Sequence, residues 1–307
     1  MNKYVVSIDF GGTIIKLGLI NPSGKIILRS QIFTKNFYAD KQKLINTLIG
    51  QIFNLLEEKK IIKKQVSGIG IGLPGLIDPQ KGKVCFLPNV PGWRNIFLKK
   101  IIEEKTTIRT FIDNDVNMMA LGEWKYGAGK GYQNLICMTL GTGVGGGLIL
   151  NNKLYRGEGF AAGEIGHIPL NEHGPGCNCG GQACFERYVG NKILQEKAAR
   201  IFKNKKITLE EVFELAKKDN TRAIAFWEET GAHIGRALIG VVNLLNPRLI
   251  VIGGGISRSY CFMASTISNI IKENCMKTQG AMIKVVRAQL GNDAALLGAF
   301  VLVNESI

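Results

Sequence analysis

The chain of 307 residues is long enough for two domains of ordinary size, and with 46% hydrophobic and 21% charged residues it resembles a soluble globular protein. The opening residues, MNKYVVSIDFGG, lack the features of a signal peptide, and no uncharged apolar run reaches the length of a membrane span. The net charge of +15 would suit a nucleic-acid partner, but the lysines are scattered in pairs instead of forming one basic block. We therefore predict a cytoplasmic protein with a solvated, lysine-rich surface and with no nucleic-acid or membrane partner.

The first part of the chain is predicted to alternate between apolar strands and amphipathic helices. The predicted strands are, in chain order, 4–10, 14–20, 25–33, 67–75 and 109–115. The turn NPSG joins the second strand to the third, so the chain opens with an antiparallel meander. Apolar residues at helical spacing predict helices over 40–60 and 116–127.

The same pattern begins again at residue 134. The predicted strands of this second part are 134–140, 148–155 and 248–255, and the predicted helices are 185–203, 209–218, 221–245 and 292–303. A strand, a glycine turn and a returning strand thus occur twice, about 130 residues apart. This repetition predicts two similar α/β halves. We expect one domain formed by residues 1–117 and 290–307, and a second formed by residues 118–289.

A glycine-rich turn follows the first strand of each half. These turns, DFGGTIIK and LGTGVGGG, each carry a threonine, and the first also carries an acid, Asp9. Glycine lets several backbone N–H groups come close to phosphate oxygens. Neither turn matches the GxxxxGK[ST] loop or leads from a strand into a helix, and either one alone can be a simple hairpin. The pair predicts a nucleotide held between two domains, with a third turn, VIGGGIS, beside the adenosine.

The stretch GEIGHIPLNEHGPGCNCGGQACFERYVG holds two histidines and three of the seven cysteines. The odd number of cysteines and the lack of a secretory signal argue against a disulfide scaffold. Cys177, Cys179 and Cys184 make a Cys₃His set with either His167 or His173, which is a complete complement for structural zinc. A catalytic thiol would need one cysteine beside a base, and chance clustering in a glycine-rich loop is the remaining alternative.

Eight motifs occur in the order found in the ROK family of sugar kinases and sugar-responsive repressors, which the chain resembles from residue 4 to about residue 300. They are DFGGTIIKLGL, GIGLPGLID, PNVPGW, DNDVNMMALGE, LGTGVGGG, GEIGH, CNCGGQACFE and NPRLIVIGGG. The resemblance implies the actin-like ATPase fold of sugar kinases, heat-shock chaperones and actin, an α/β fold of two domains with a central cleft. The first domain would carry the first phosphate turn and the sugar loops. The second would carry the second phosphate turn, the zinc loop and the adenosine side.

The resemblance further implies a kinase that transfers the γ-phosphate of ATP to the 6-hydroxyl of a neutral hexose, with Mg²⁺ and a structural Zn²⁺ as cofactors. Asp115 would be the catalytic base, and the sugar ligands would be Gly75, Asn89, Asn114, Asp115, Glu164, His167 and Glu186. The residues for ATP and magnesium would be Asp9, Gly11, Gly12, Thr13, Lys16, Gly141, Thr142, Gly143, Gly145, Gly254 and Gly255. The zinc ligands would be His167, Cys177, Cys179 and Cys184.

Some of these residues also have a plain structural interpretation. An acid before a helix can serve as an N-cap, so Asp115 can be a cap, and Lys16 can be an ordinary lysine on a strand surface. Ala183 stands where the family usually has glycine, so its methyl group is expected to strain the zinc loop slightly. Loss of zinc is expected to weaken sugar binding far more than ATP binding, because the phosphate turns lie elsewhere in the sequence.

The alternative that remains within the family is a sugar-responsive regulator without its DNA-binding domain. A repressor would carry a DNA-reading domain ahead of the first glycine turn, and Asp9 stands too near the start to leave room for one. A filament or chaperone ATPase would have no use for the sugar ligands or the zinc loop. We expect an enzyme acting on glucose first, then on mannose, fructose, N-acetylmannosamine or N-acetylglucosamine, and assembled as a homodimer or homotetramer.

Overall fold

The structure is a computed structural model that describes residues 3–37, 40–88, 90 and 92–307. Its strands are β1 (Tyr4–Phe10), β2 (Ile14–Ile20), β3 (Ile26–Phe33), β4 (Val66–Leu73), β5 (Leu76–Asp78), β6 (Lys83–Phe86), β7 (Arg94–Ile96), β8 (Thr110–Asn114), β9 (Leu135–Leu140), β10 (Val144–Leu150), β11 (Lys153–Tyr155), β12 (Leu249–Gly253) and β13 (Lys284–Arg287). Its α-helices are α1 (Lys41–Glu58), α2 (Leu98–Thr106), α3 (Asp115–Tyr126), α4 (Glu186–Val189), α5 (Asn191–Ile201), α6 (Leu209–Lys217), α7 (Thr221–Leu245), α8 (Tyr260–Asn274), α9 (Lys277–Met282) and α10 (Ala294–Glu305). Among the residues described, no helix is both long and apolar enough to cross a membrane.

The chain forms two compact units. The first consists of Met1–Lys130, Leu154–Ala162 and Asn292–Ile307, and the second of Gly131–Lys153 and Gly163–Gly291. The first unit includes α3 because this helix packs closely against α10. Glycines make the approach possible, since a Cβ on Gly122 would overlap the carbonyl oxygen of Ala294, and a Cβ on Gly298 would overlap that of Met118.

The first unit is built on a five-stranded sheet with the order β3-β2-β1-β4-β8. β1 is antiparallel to β2 and parallel to β4, and β4 is parallel to β8. The carboxyl ends of β1, β4 and β8 therefore lie at one edge, where Asp9 is beside Gly72 and Gly72 is beside Asp113. Buried Val, Ile and Leu side chains of these strands and of α1 form the core beneath that edge.

The second unit contains a five-stranded sheet with the order β11-β10-β9-β12-β13. β9 is antiparallel to β10, and β12 is parallel to both β9 and β13. Each unit thus has an antiparallel hairpin extended by parallel strands in the same order, as the repeated sequence pattern predicts.

Three predicted elements differ in the structure. Residues 148–155, predicted as strand, are divided between the end of β10 and β11. The helix expected over 185–203 is divided into α4 and α5, because Gly190 between them is extended (φ −63°, ψ 146°). The glycine turn expected over 141–147 is shorter, because β10 already begins at Val144. The small sheet β5-β6-β7 and the helices α2, α8 and α9 lie in stretches for which the pattern predicted no element.

Candidate active site and metal centre

The first glycine turn joins β1 to β2 and places Asp9 opposite Lys16. Nζ of Lys16 lies 3.6 Å from Oδ2 of Asp9 and donates a hydrogen bond of 3.1 Å to Oδ1 of Asn292. Burial raises the pKa of Asp9 above its ordinary value, while the charge and hydrogen bond of Lys16 oppose that rise. Lys16 therefore contacts the acid of the turn and is not simply an unpaired lysine on the strand surface.

The backbone of this turn is held in one conformation. A Cβ on Gly11 would overlap the carbonyl oxygen of Ile14, so the position requires glycine. Oγ1 of Thr34 donates to the carbonyl of Gly11 at 3.0 Å, and the N–H of Thr34 donates to the carbonyl of Thr13 at 2.9 Å. Gly11, Gly12 and Thr13 thus form a fixed turn at the end of β1.

Asp115 is the first residue of α3, but it is not the N-cap of that helix. The cap is Asn114, whose Oδ1 accepts from the N–H groups of Val116 at 2.8 Å and Asn117 at 3.3 Å. Oδ1 of Asp115 accepts from the N–H of Val116 at 2.9 Å. Asn114 is therefore the cap of α3, and Asp115 shares one of its two N–H donors.

The loop after β4 is bonded to the start of α3. Nδ2 of Asn114 donates to the carbonyl of Gly75 at 3.1 Å. Gly75 has φ +85°, and a Cβ there would overlap the carbonyl oxygen of Phe86. The structure therefore brings together Gly75, Asn114 and Asp115. The predicted sugar ligand Asn89 lies outside the described residues.

Asp113 is the residue near this site whose role the sequence pattern did not predict. It is only 2% exposed, and its carboxylate accepts from Nε of Arg156 at 2.6 Å, Nδ2 of Asn117 at 2.9 Å and the N–H of Asn114 at 2.7 Å. A carboxylate is rarely buried unless it is paired. An acid at the end of an apolar strand was therefore the sequence signal that a cationic partner lies nearby. The partner is 43 residues away in the sequence, so periodicity did not identify it.

The second glycine turn, Gly141 to Gly143, contacts Glu186. Oε2 of Glu186 accepts from the N–H of Val144 at 2.8 Å, and a Cβ on Gly143 would lie 2.5 Å from that oxygen. The carbonyl of Gly141 accepts from the N–H of Asn191 at 2.9 Å, so the turn is also bonded to the first residue of α5.

Of the two other residues predicted for this turn, Thr142 and Gly145, only Thr142 lies in it. Thr142 lies within the turn, between β9 and β10. Gly145 lies inside β10, opposite Thr139 of β9, and so belongs to the strand pairing.

A metal-binding group is formed by the side chains of His167, Cys177, Cys179 and Cys184. Their ligand atoms all lie within 4.8 Å of one another. Nδ1 of His167 is 3.7 Å from Sγ of Cys177, and the Sγ atoms of Cys179 and Cys184 are 3.6 Å apart. The alternative ligand His173 is exposed and is not a member of the group. Three thiols and one imidazole are the donor set that structural zinc takes, so these residues fit the ion.

The thiols of this group differ in their acidity. Burial, together with hydrogen bonding to the Sγ of Cys179, raises the pKa of Cys184 to about 12. The backbone of Gly181 lowers the pKa of Cys179. Because a bound cation favours the thiolate form, a metal ion is the partner that would allow Cys184 to lose its proton near neutral pH.

The loop that carries the cysteines is a small bonded hairpin. The N–H of Cys177 donates to the carbonyl of Gly181 at 2.8 Å, and the N–H of Ala183 donates to the carbonyl of Pro175 at 2.9 Å. Ala183 is fully buried with φ +55°, a conformation that costs an L-residue about 1–2 kcal/mol. The methyl group is therefore accommodated in the loop with some backbone strain.

His167 lies between Cys177 of the metal-binding group and Glu164. Its Nδ1 faces Cys177, and its Nε2 is 3.8 Å from Oε2 of Glu164. His167 can therefore bind a metal through one ring nitrogen while the other nitrogen faces a carboxylate.

The third glycine turn, at the end of β12, borders a cavity of about 820 Å³. Gly254 has φ +82°, and a Cβ there would overlap the carbonyl oxygen of Leu140. Gly255, Phe213, Trp227 and Arg258 are among the residues that line the cavity. Its size and mixed apolar and polar walls are typical of pockets that bind small molecules.

The comparisons with known proteins agree with this architecture. A solved ROK glucokinase from Streptomyces griseus in complex with glucose and AMPPNP superposes with a TM-score of 0.79 and 29% identity, over 98% of this chain and 99% of that one. The protein has the actin-like ATPase fold, with two open mixed sheets of matching order.

The ROK family profile matches residues 5–306, and the chain belongs to this family. It is 33% identical to the glucokinase of Halalkalibacterium halodurans, over 99% of this chain and 96% of that protein. It is also 32% identical to the xylose repressor of Bacillus spizizenii, over 98% of this chain and 77% of that protein. The family thus includes both enzymes and regulators that are similar to this chain.

Proposed function

We propose that this protein is an ATP-dependent hexose kinase that transfers the γ-phosphate of ATP to the 6-hydroxyl of a neutral hexose, with glucose as the first substrate to test. The observation that carries the proposal is the position of Asp115, an acid at the start of α3 in a helix that Asn114 already caps. Similarity to the glucokinases supports it further.

Phosphoryl transfer requires mainly positioning of the reactants and neutralisation of charge. Asp115 is proposed to orient the sugar hydroxyl and to accept its proton as the bond to phosphorus forms. Its main contribution is proposed to be orientation of the nucleophile, because phosphoryl transfer depends mainly on positioning.

The sugar is proposed to be held by Asn114, Glu164, His167 and Glu186. Carboxylates accept strong hydrogen bonds from neighbouring hydroxyl groups, and Nε2 of His167 faces Glu164 at 3.8 Å. These four residues include no lysine or arginine that would pair with an acidic sugar. A neutral hexose is therefore the substrate class that this set of residues favours.

The ATP side is proposed to use the three glycine turns. The turns at Gly11 and Gly143 offer backbone N–H groups to phosphate oxygens, Lys16 adds a positive charge, and the cavity beside Gly255 is proposed for the adenosine. The Asp9 carboxylate, 19% exposed at its turn, is an oxygen ligand of the kind that suits magnesium through a water molecule. Magnesium would supply neutralisation of phosphate charge.

Zinc is proposed to be structural and bound once per chain by His167, Cys177, Cys179 and Cys184. By binding the three thiolates and the imidazole, zinc would order a loop that has little apolar content of its own. The residues that it would order include Glu164 and Glu186, which flank the group in the sequence.

The test is an assay of ADP release over a panel of glucose, mannose, fructose, N-acetylmannosamine and N-acetylglucosamine, with Asp115→Asn as the matched variant. Release that depends on a hexose and on Asp115, with phosphate found on the 6-hydroxyl, supports the kinase. Sugar binding without ADP release for any sugar would favour the second candidate, a sugar-responsive regulator, which the similarity to xylose repressors suggests.

A further inference from the structure

We propose that Arg156 is a positioning residue for Asp115 and that it acts through the buried carboxylate of Asp113. The inference rests on the proposed kinase function, in which Asp115 orients the sugar hydroxyl. It concerns two residues, Asp113 and Arg156, that are outside the set predicted to bind sugar, ATP or metal.

Asp113 holds the residues on both sides of Asp115. Its Oδ1 accepts from the N–H of Asn114 at 2.7 Å and from Nδ2 of Asn117 at 2.9 Å. Asn114 is the last residue of β8, and Asn117 lies in the first turn of α3. The Asp113 carboxylate therefore fixes the junction of strand and helix from which the Asp115 side chain leaves the backbone.

Arg156 holds the other oxygen of the same carboxylate. Its Nε donates to Oδ2 of Asp113 at 2.6 Å, and the Asp113 side chain is 3% exposed while that of Arg156 is 28% exposed. Removal of one partner of a buried ion pair strongly destabilises the folded protein, because the other partner is left as an uncompensated buried charge. Without Arg156, we expect the Asp113 carboxylate to move toward water and to release Asn114 and Asn117.

The ion pair also anchors a short excursion of the chain. Residues 154–162 belong to the first unit, whereas the chain on both sides of them belongs to the second unit. The excursion is closed by a hydrogen bond of 3.0 Å from the N–H of Ala162 to the carbonyl of Arg156. Arg156 thus lies at the base of a closed loop, which gives its guanidinium a defined approach to Asp113.

The test compares Arg156→Met and Arg156→Lys with a matched control, Arg29→Met. Arg29 also pairs with an aspartate of the first unit, Asp293 at 2.9 Å, but both side chains are exposed. A misplaced catalytic group costs about 100-fold in rate, so we expect kcat of Arg156→Met to fall about 10- to 100-fold, with the KM values for sugar and ATP changed less than about threefold. Arg156→Lys keeps the positive charge but lacks the planar guanidinium group, so its kcat should lie between those of Arg156→Met and the wild type. The kcat of Arg29→Met should equal that of the wild type.

A second variant, Asp113→Asn, keeps the shape of the side chain and guards against loss of folding. If Arg156 acts through Asp113, the double variant Asp113→Asn with Arg156→Met should lose no more kcat than the worse single variant. Losses that multiply, or a normal kcat in Arg156→Met, would overturn the inference.

Amide hydrogen exchange over residues 113–118 provides a readout that does not depend on activity. Exchange in this segment should be faster in Arg156→Met than in the wild type and unchanged in Arg29→Met. If the wild type phosphorylates no sugar, the proposed function fails while this exchange still decides the positioning. Equal exchange in the wild type and Arg156→Met overturns it.

Discussion

Oε2 of Glu186 accepts a hydrogen bond from the backbone N–H of Val144 at 2.8 Å. Val144 follows the second glycine turn, and Glu186 lies two residues after the metal-binding Cys184. Gly166, next to His167, also packs on Val144, because a Cβ on Gly166 would overlap the Val144 carbonyl oxygen. Glu186 and Gly166, which lie close to the metal-binding residues in the sequence, therefore contact the residue that directly follows the second glycine turn, although they are distant from it in the sequence. From this contact we expect zinc to affect ATP binding as well, beside the larger effect expected on sugar binding.

Replacing Glu186 separates its two proposed roles. Glu186→Ala removes the acceptor for the Val144 N–H, and a hydrogen bond to a charged group contributes about 1.5–3 kcal/mol, so we expect KM for both ATP and sugar to rise about tenfold or more. Glu186→Gln keeps an acceptor oxygen but loses the charge, and should raise mainly the KM for sugar. Steady-state kinetics of the two variants measure this difference, and an unchanged KM for ATP in Glu186→Ala would contradict the proposed link.

Removal of zinc should weaken the binding of both substrates, and the binding of sugar more than that of ATP. Metal analysis is expected to give about one zinc per chain, and Cys179→Ser or chelation should raise KM for sugar most and KM for ATP to a smaller degree. Cys261→Ser is the matched control, because Cys261 is exposed and outside the metal-binding group. Purified protein without zinc would refute the metal site, and an unchanged KM for sugar in Cys179→Ser would refute the coupling.

Asp115→Asn should abolish most turnover while leaving the fold intact. The amide preserves the shape of the side chain but cannot accept the proton of the hydroxyl, and general-base assistance contributes about 10²–10⁴ in rate. Calorimetric binding of glucose and ATP, together with the thermal unfolding midpoint, should remain close to wild type. The matched control is Asp293→Asn, which changes an exposed acid of the same unit. A kcat near that of the wild type would show that Asp115 is not the base.

Protein stability should decline on acidification because of His233. Burial lowers the pKa of His233, and the nearby Lys197 lowers it further, while Glu229 acts in the opposite direction. The unfolded chain therefore binds the proton more readily than the folded protein, and stability is lost as pH falls through the ordinary histidine value of about 6.5. We expect His233→Gln to lose less unfolding free energy than the wild type between neutral pH and about pH 5.5. Urea unfolding at both pH values measures this, with the exposed His173→Gln as control, and equal losses in all three proteins would exclude His233 as the cause.

The sequence by itself determined the family, the doubled α/β pattern and the candidate residues for catalysis, ligand binding and metal binding. These features depend on local order. Alternating apolar residues predict strands, glycine turns follow them at fixed offsets, and three cysteines within eight residues leave few functions other than metal binding. The choice between His167 and His173 followed from the family motif, and the structure brings His167 to the cysteines.

Only the tertiary structure decided which of these residues touch one another. The contact between Glu186 and Val144 and the ion pair between Arg156 and Asp113 join segments whose spacing in the sequence has no periodic signature. The break at Gly190 is local, but the helical spacing of the apolar residues did not predict it. An acid in a buried position implies that a cationic partner lies nearby, but only the folding of the chain shows which residue is that partner. For the same reason the sequence allowed Asp115 to be the cap of α3, whereas the hydrogen bonds of the folded chain give that role to Asn114.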